Sequence, residues 1–595
     1  MLTAAIGMPV RPANIALLIS ATYLAPDESR VIQPTPAIVP HSAARTLPRW
    51  ALLLLCLAYV VPGFIGRDPW KSADVTAFGY MRELALGHTP WLDPLMAGLS
   101  PDTDGLLPYW LGAWAIQWTS LWLSPELGAR LPFAALLALT LAATWYSVYY
   151  LARSPGAQPV AFAFGGEASP AAYARAMADA GLLALIACLG LAQLSHEITS
   201  HLTQLACTAL VFYAAAAMPL RTALPMVAAV AGLGGLVLSG APTLAALLGS
   251  GGALLVLFSA SDSPRRRWPW AAALAGITLA SALLGWELQL WRWRIVEAKD
   301  ATEWSSLARL LLWFSWPAWP LTLWTLWRWR RQIVSRQPHR HLLLPLWFLT
   351  VALAATLTTR PADRALLLGL PALAALAAFA LPTLRRSIAA LIDWFTLLFF
   401  SASAIAIWVI WLSLQTGMPA KPAQNIARLA PGFVASFSPV AFATALAATL
   451  AWCALVWWRA ARNRTAIWKS LVLPASGAAL GWLLLMTLWL PLLDHARSYR
   501  LQMEAVRATV GDKPGCVATY GMGRAQLAAL IYHAGLTPAS GQHSADCDWL
   551  VADAGAVPHF STVLPAREWK EIATIMRPTD KNDSLVVLHR IPGRR

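Results

Sequence analysis

The sequence predicts a polytopic α-helical membrane protein that carries a small C-terminal α/β domain. Three observations carry that prediction. Hydrophobic residues fill 58% of the 595 positions and charged residues only 12%, and the mean hydropathy is +0.55. So little charge cannot cover a soluble fold. Tryptophan occurs 32 times, and Trp collects where a bilayer meets water. The apolar residues fall into long runs divided by short basic clusters, which is the pattern of spans and their loops.

Residues 1–48 are rich in Pro and Ala and read as a flexible cytoplasmic tail; the apolar run Ala13–Ala25 is too short to span. The first candidate span is Trp50–Ile65. Further apolar runs lie near 128–151, 181–195, 201–218, 222–239, 241–259, 268–290, 307–327, 342–359, 363–381, 390–413, 433–457 and 466–490. At roughly 20 residues per span, that makes about 13.

One more apolar run, Leu106–Leu123, is a special case. If it crossed, the cluster Arg265–Arg267 and every later basic cluster would change sides. The positive-inside rule therefore makes it a helix lying in the interface. Residues 49–493 then form a transmembrane domain with a large first outer loop, 66–127. Residues 494–595 form a periplasmic domain in a bacterial inner membrane, with the N-terminus cytoplasmic.

In that last domain, 515–521, 548–553 and 584–591 read as strands and 523–535 as a helix. Cys516 and Cys547 stand at the starts of two of those strands, and in an oxidising compartment they are expected to pair. Two free thiols are the alternative. The net charge of +16 does not point to nucleic acid, because the basic residues sit in dispersed loop clusters rather than on one face.

The chemistry-bearing residues crowd into the first outer loop: Asp68, Asp74, Glu83, Asp93, Asp102 and Asp104. Asp74 opens an amphipathic stretch with Val75, Phe78, Met81 and Leu84 on one side. It reads equally as a helix N-cap and as a reactive carboxylate at a helix mouth. Farther on, His196-Glu197-Ile198-Thr199-Ser200-His201 looks like a zinc-protease signature only at first sight. That motif needs its two His four apart. Here they are five apart, or about 140° around a helix. A bend could still turn them toward a divalent cation; a polar interfacial turn is the plainer reading.

An apolar span, Asp74, an aromatic-studded helix, Trp91-x-x-Pro94 and Pro108-Tyr109-Trp110 follow one another in that order. This order resembles the GT-C class integral membrane glycosyltransferases, in particular the aminoarabinose lipid A transferase and protein mannosyltransferase-like group. The resemblance implies transfer of a sugar from a polyprenyl-phosphate donor to a lipid or cell-envelope glycan, with membrane lipids as surroundings. It makes Asp74 the catalytic carboxylate, with Glu197 and His196 assisting. No cofactor or metal ligand set is implied beyond a possible divalent cation.

A departing lipid phosphate calls for cations. Lys71 and Arg82 share the loop with Arg67, and Arg292 and Arg294 lie in a Trp-flanked outer stretch that reads equally as an interfacial anchor. Asp68, Tyr80, Asp102, Asp104, Tyr109 and His201 complete the expected substrate contacts. Two positions depart from the group: Val75 stands where Glu commonly follows the Asp, and Asp102–Gly105 replaces a Glu-Lys-Pro whose Lys would meet the donor phosphate. A transporter or flippase of lipid-linked sugars is the alternative function, and a non-catalytic envelope assembly factor a weaker one. The charge-poor spans and the absence of an evident repeat argue against the transporter.

Overall fold

A computed structural model describes residues 35–591, apart from 104, 260–263, 292–300, 336–337, 461–465, 513–514, 540–546 and 558–568. The expected apolar runs become helices almost one for one. They are α1 (Arg49–Val60), α2 (Ala73–Ala85), α3 (Leu107–Thr119), α4 (Pro125–Ala152), α5 (Pro170–Ala187), α6 (Ser200–Ala217), α7 (Ala223–Leu238), α8 (Pro242–Phe258), α9 (Pro264–Glu287), α10 (Ala301–Phe314), α11 (Ala318–Arg328), α12 (Arg340–Thr358), α13 (Ala362–Leu367), α14 (Leu370–Ala380), α15 (Arg386–Thr416), α16 (Ala420–Leu429), α17 (Pro439–Ala460), α18 (Lys469–Leu485) and α19 (Leu490–Arg497).

Among the described residues only five helices are long and apolar enough to cross a bilayer: α4, α9, α12, α15 and α17. A sixth counts if α18 and α19, bent by 67°, form one span. The sequence expectation of about 13 full spans is therefore not met helix by helix. Part of the reason lies in broken segments. The run expected at 307–327 is cut by Ser315-Trp316-Pro317, and the run at 363–381 by Leu368-Gly369. Irregular backbone at membrane depth is tolerated only inside protein, where its polar groups find partners. The break after α10 meets the break after α5 in this way: Leu189 N–H donates to Trp316 O at 3.2 Å and Gly190 N–H to Phe314 O at 2.9 Å.

Helix α5 is buried along most of its length and packs against α4, α14 and α18. It is the axis of the bundle. Helices α15 and α17 are its lipid-facing opposite, with apolar side chains such as Leu391, Trp394, Ile405 and Leu450 exposed. The Leu106–Leu123 run holds a helix of 13 residues, α3, with Trp114 and Trp118 facing outward. At 1.5 Å per residue that is far too short to cross a bilayer.

The N-terminal expectation needs correction. Residues 35–48 are no loose tail. Ala37, Val39 and Ala44 are buried, Pro40 bridges to Glu167, and Trp468 Nε1 donates to Arg45 O at 2.7 Å. Pro- and Ala-rich composition hides such a segment, because its order comes from backbone bonds to distant loops.

After α19 come α20 (Arg500–Val510), β1 (Val517–Tyr520), α21 (Arg524–Ala529), β2 (Trp549–Asp553), β3 (Trp569–Arg577) and β4 (Asp580–Arg590). The sheet order is β1-β2-β4-β3. β1 and β2 are parallel, and the other two pairs antiparallel. The parallel register sets Val517 opposite Trp549, so the residues preceding the two strands are neighbours. Cys516 and Cys547 are joined there as a disulfide, with Cα atoms 4.7 Å apart.

Candidate active site

The site begins where α1 ends. Gly63 has φ +93°, and a Cβ there would lie 2.5 Å from the Trp482 ring. Only glycine lets the chain turn under that indole, whose Nε1 donates to Pro62 O at 2.9 Å. The turn delivers Arg67 into the protein. Its Nε donates to Gly63 O at 2.5 Å and its Nη2 to His196 O at 2.6 Å.

The third arm of Arg67, Nη1, lies 2.9 Å from Asp74 Oδ2, with both side chains almost fully buried at 2% and 1% exposure. Asp74 Oδ2 also accepts from Trp70 N–H at 3.1 Å, and Oδ1 accepts from Ile198 N–H at 2.9 Å. Asp74 is thus not the N-cap; Ser72 occupies that position and makes no side-chain cap. The carboxylate ties three segments together: the 63–70 loop, the first turn of α2, and the turn before α6.

Glu197 sits in that same turn. Its Oε2 pairs with Arg364 Nη2 of α13 at 3.0 Å, and Gln193 Nε2 donates to Oε1 at 3.4 Å. Burial pushes the Glu197 carboxyl above the usual range, and Arg364 opposes that rise. Near Glu197 stands Arg497 of α19. Its guanidinium lies 5.0 Å from the centre of the Trp70 ring, and that of Arg67 lies 4.6 Å from the same ring. Arg497 is half-buried and feels the charge of Glu197. Its guanidinium makes no hydrogen bond to another described side chain or backbone group. Cation–π contact holds such a group in place without using its donors.

His196 does not face this space. Its Nδ1 is 2.5 Å from Ala192 O and its Nε2 3.0 Å from Tyr59 O. Tyr59, Phe64 and Trp482 pack around the ring. Burial pushes its pKa down to about 4, against the pull of those two carbonyls. The expected catalytic assistant is a core histidine. His201 lies in the first turn of α6, while His196 and Glu197 lie in the turn before it. Among the described residues no three His, Cys, Asp or Glu converge as a metal site.

Several expected substrate contacts do other work. Lys71 Nζ reaches Asp580 at 2.8 Å and Asp583 at 3.2 Å in the C-terminal domain. Asp68 pairs with Arg500 and accepts from Ser498 Oγ at 2.9 Å. Arg82 lies over the Tyr532 ring at 5.4 Å, and Asp102 pairs with Arg524 at 2.7 Å. These residues fasten the loop to the domain that covers it. Tyr80 donates to Leu99 O at 2.9 Å and holds the loop's own fold. Tyr109 joins a hydroxyl chain with Thr103 at 3.0 Å and on to Ser200 at 2.9 Å. Asp104, Arg292 and Arg294 lie outside the described residues.

Sequence reasoning missed Trp70, Arg364 and Arg497 as site residues. Nothing in the linear pattern brings 67–74, 197, 364 and 497 together. A second feature lies in the membrane body, an apolar cavity of about 490 Å³ between α10, α11, α12, α13 and α14, lined by residues such as Leu312, Trp319, Leu346 and Leu370.

No family model matches the chain, and no curated protein matches it. Two solved structures do. Both are ArnT from Cupriavidus metallidurans, one bound to undecaprenyl phosphate and one in the apo state. The first aligns over 92% of this chain and 98% of its own, with a TM-score of 0.60 at 15% identity. The second aligns over 91% and 98%, with a TM-score of 0.57 at 15% identity.

The fold is the ArnT fold. It runs through the membrane body and the C-terminal domain alike, so the resemblance read from residues 67–110 extends to almost the whole chain. At this identity the likeness concerns architecture, and what the site does rests on its own residues: a buried carboxylate knot, a second carboxylate of raised pKa, and a half-buried guanidinium whose donors meet no other described residue.

Proposed function

We propose that this protein is a membrane glycosyltransferase. It moves a sugar from a polyprenyl-phosphate donor to a lipid or cell-envelope glycan acceptor at the outer face of the bacterial inner membrane. The basic clusters between spans support a cytoplasmic N-terminus and a periplasmic C-terminal domain. One observation supports the reading: Arg497, whose guanidinium makes no hydrogen bond to another described residue, stands over Trp70 and feels the charge of Glu197, in a fold shared with a protein solved with undecaprenyl phosphate.

In the reaction the acceptor oxygen bonds to the anomeric carbon while the bond from that carbon to the donor phosphate breaks. The electron pair leaves on the phosphate, and the acceptor's proton goes to a carboxylate. Asp74 takes that proton. A carboxylate offers about four acceptor sites, and three here are held by Arg67, Trp70 and Ile198. Glu197 orients the acceptor. Arg497 receives the phosphate, in the role the missing Glu-Lys-Pro lysine would have served, and a charge-assisted fork suits it. The apolar cavity takes part of the polyprenyl chain.

The test uses purified full-length protein in proteoliposomes with a radiolabelled polyprenyl-phosphate sugar. Arg497→Ala is expected to raise KM for the donor about tenfold or more, the worth of a hydrogen bond to a charged group, with the melting temperature unchanged. Intact donor recovered in the opposite leaflet, with no polyprenyl phosphate released, would replace this reading with the flippase.

A further inference from the structure

Helix α16 lacks what normally holds a short helix in place. It is ten residues long, AKPAQNIARL, and none of them is buried. A helix of that length is marginal in water on its own hydrogen bonds, and in proteins it is held by burying an apolar face. α16 has such a face. At about 100° per residue, Pro422, Ile426 and Leu429 fall on one side, and Lys421, Gln424, Asn425 and Arg428 on the other. The protein covers the apolar side incompletely: Ile426 is half-buried, and Leu429 is 67% exposed.

The ends of the segment are pinned. Before the helix, Ser413 Oγ donates to Pro419 O at 2.6 Å; after it, Pro431 O lies 3.0 Å from His495 Nε2. Three residues separate α15 from α16, and nine separate α16 from α17, so the helix sits where those two spans end. α15 and α17 are long, apolar and largely uncovered by protein. Leu412 and Val440 are exposed at their ends nearest α16, and Met418, Val434 and Phe437 are exposed in the flanking turns. The uncovered face of α16 thus continues the lipid-facing surface of the spans. Its charge has one sign, because no Asp or Glu occurs from 394 to 493.

We propose that α16 docks on the bilayer surface, its Pro422, Ile426 and Leu429 side sunk at the boundary of headgroups and acyl chains, with Lys421 and Arg428 on anionic phospholipid headgroups. Interfacial amphipathic helices bury their apolar face about 5–10 Å deep in this way. Each cation near an anionic leaflet favours the docked state about fivefold. A bilayer is the occupant because it already surrounds α15 and α17, to which α16 is tied by short turns. The inference depends neither on sugar transfer nor on which side of the membrane the segment faces.

The test places the photocrosslinking residue p-benzoylphenylalanine at position 429, or at position 424 as the polar-side control. Both positions are exposed, so neither change disturbs packing. The full-length protein is reconstituted in nanodiscs of phosphatidylcholine and phosphatidylglycerol in equal parts, irradiated, and analysed by mass spectrometry. Lipid adducts are expected from position 429 and few from 424. Among them the ratio of phosphatidylglycerol to phosphatidylcholine should exceed that of the bilayer about fivefold at low salt, the scale of one cation near a charged leaflet. Lys421→Gln combined with Arg428→Gln should return that ratio to the bilayer's. Equal adduct yields from the two positions, or no lipid adduct at 429, overturn the docking. A crosslink from 429 to a second copy of the chain replaces it with a protein interface. A wild-type ratio equal to the bilayer's overturns the anionic-lipid assignment.

Discussion

The first outer loop has two faces, and they are built on different principles. One face, Asp68, Lys71, Arg82 and Asp102, meets the C-terminal domain through pairs that keep contact with water; the Lys71 side chain, for example, is 34% exposed. The other face, Arg67, Trp70 and Asp74, meets the membrane body with its charges sealed from solvent. Exposed pairs are screened and contribute little. A sealed pair contributes little net stability either, yet removing one partner strands the other in a low dielectric. The outer face therefore tolerates change, and the inner face holds one geometry.

The sharpest way to break that contrast is Asp74→Asn. It strands Arg67 and should cost about 3–5 kcal/mol, together with loss of sugar transfer. Lost activity alone would thus not prove a base. A double-mutant cycle with Arg67→Gln separates the two effects: melting should recover in part in the double variant while transfer stays absent.

Next in size is Gly79→Val. A Cβ at Gly79 would lie 2.7 Å from both Ala528 Cβ of α21 and Met96 Sδ. Overpacking of this kind costs about 1–3 kcal/mol. Limited proteolysis should then cut the C-terminal domain faster, while the membrane body resists as before.

Asp494 belongs to both faces, since it accepts from Trp70 and from Asp68 N–H. Burial raises its pKa from 3.8 to about 6. The folded state therefore holds a proton that the unfolded state gives up. The contribution of Asp494 to stability should be full below about pH 4, fall as pH rises to about 6, and level off above. Asp494→Asn should flatten that fall, by a few degrees at most in a thermal melt. The smallest expected effect is Lys71→Ala. It removes a partly exposed contact to Asp580 and Asp583, should cost under about 1 kcal/mol, and should lose its remaining effect at high salt.

Much of the architecture was legible in advance. Apolar runs marked nearly every helix of the bundle, and period-two patterns marked β1, β2 and β4. β3 was missed because it is an edge strand: most of WKEIATIMR is solvent-facing or half-buried, so no clean alternation marks it. Asp74 was read as an open carboxylate at a helix mouth, whereas the structure places it at the buried hub of a knot. His196 was misjudged because a polar turn between apolar helices looks functional in one dimension. In three dimensions it is enclosed by Tyr59, Phe64 and Trp482.

Composition and periodicity by themselves determined that this chain enters a membrane, where its helices run, and that an α/β domain follows them. Those are local properties: transfer free energy and hydrogen-bond satisfaction act residue by residue along the chain. Which charges meet was decided only by tertiary structure. Arg67, Asp74, Glu197, Arg364 and Arg497 come from five segments spread over more than four hundred residues, and their pairing exists only once α1, α2, α6, α13 and α19 have packed.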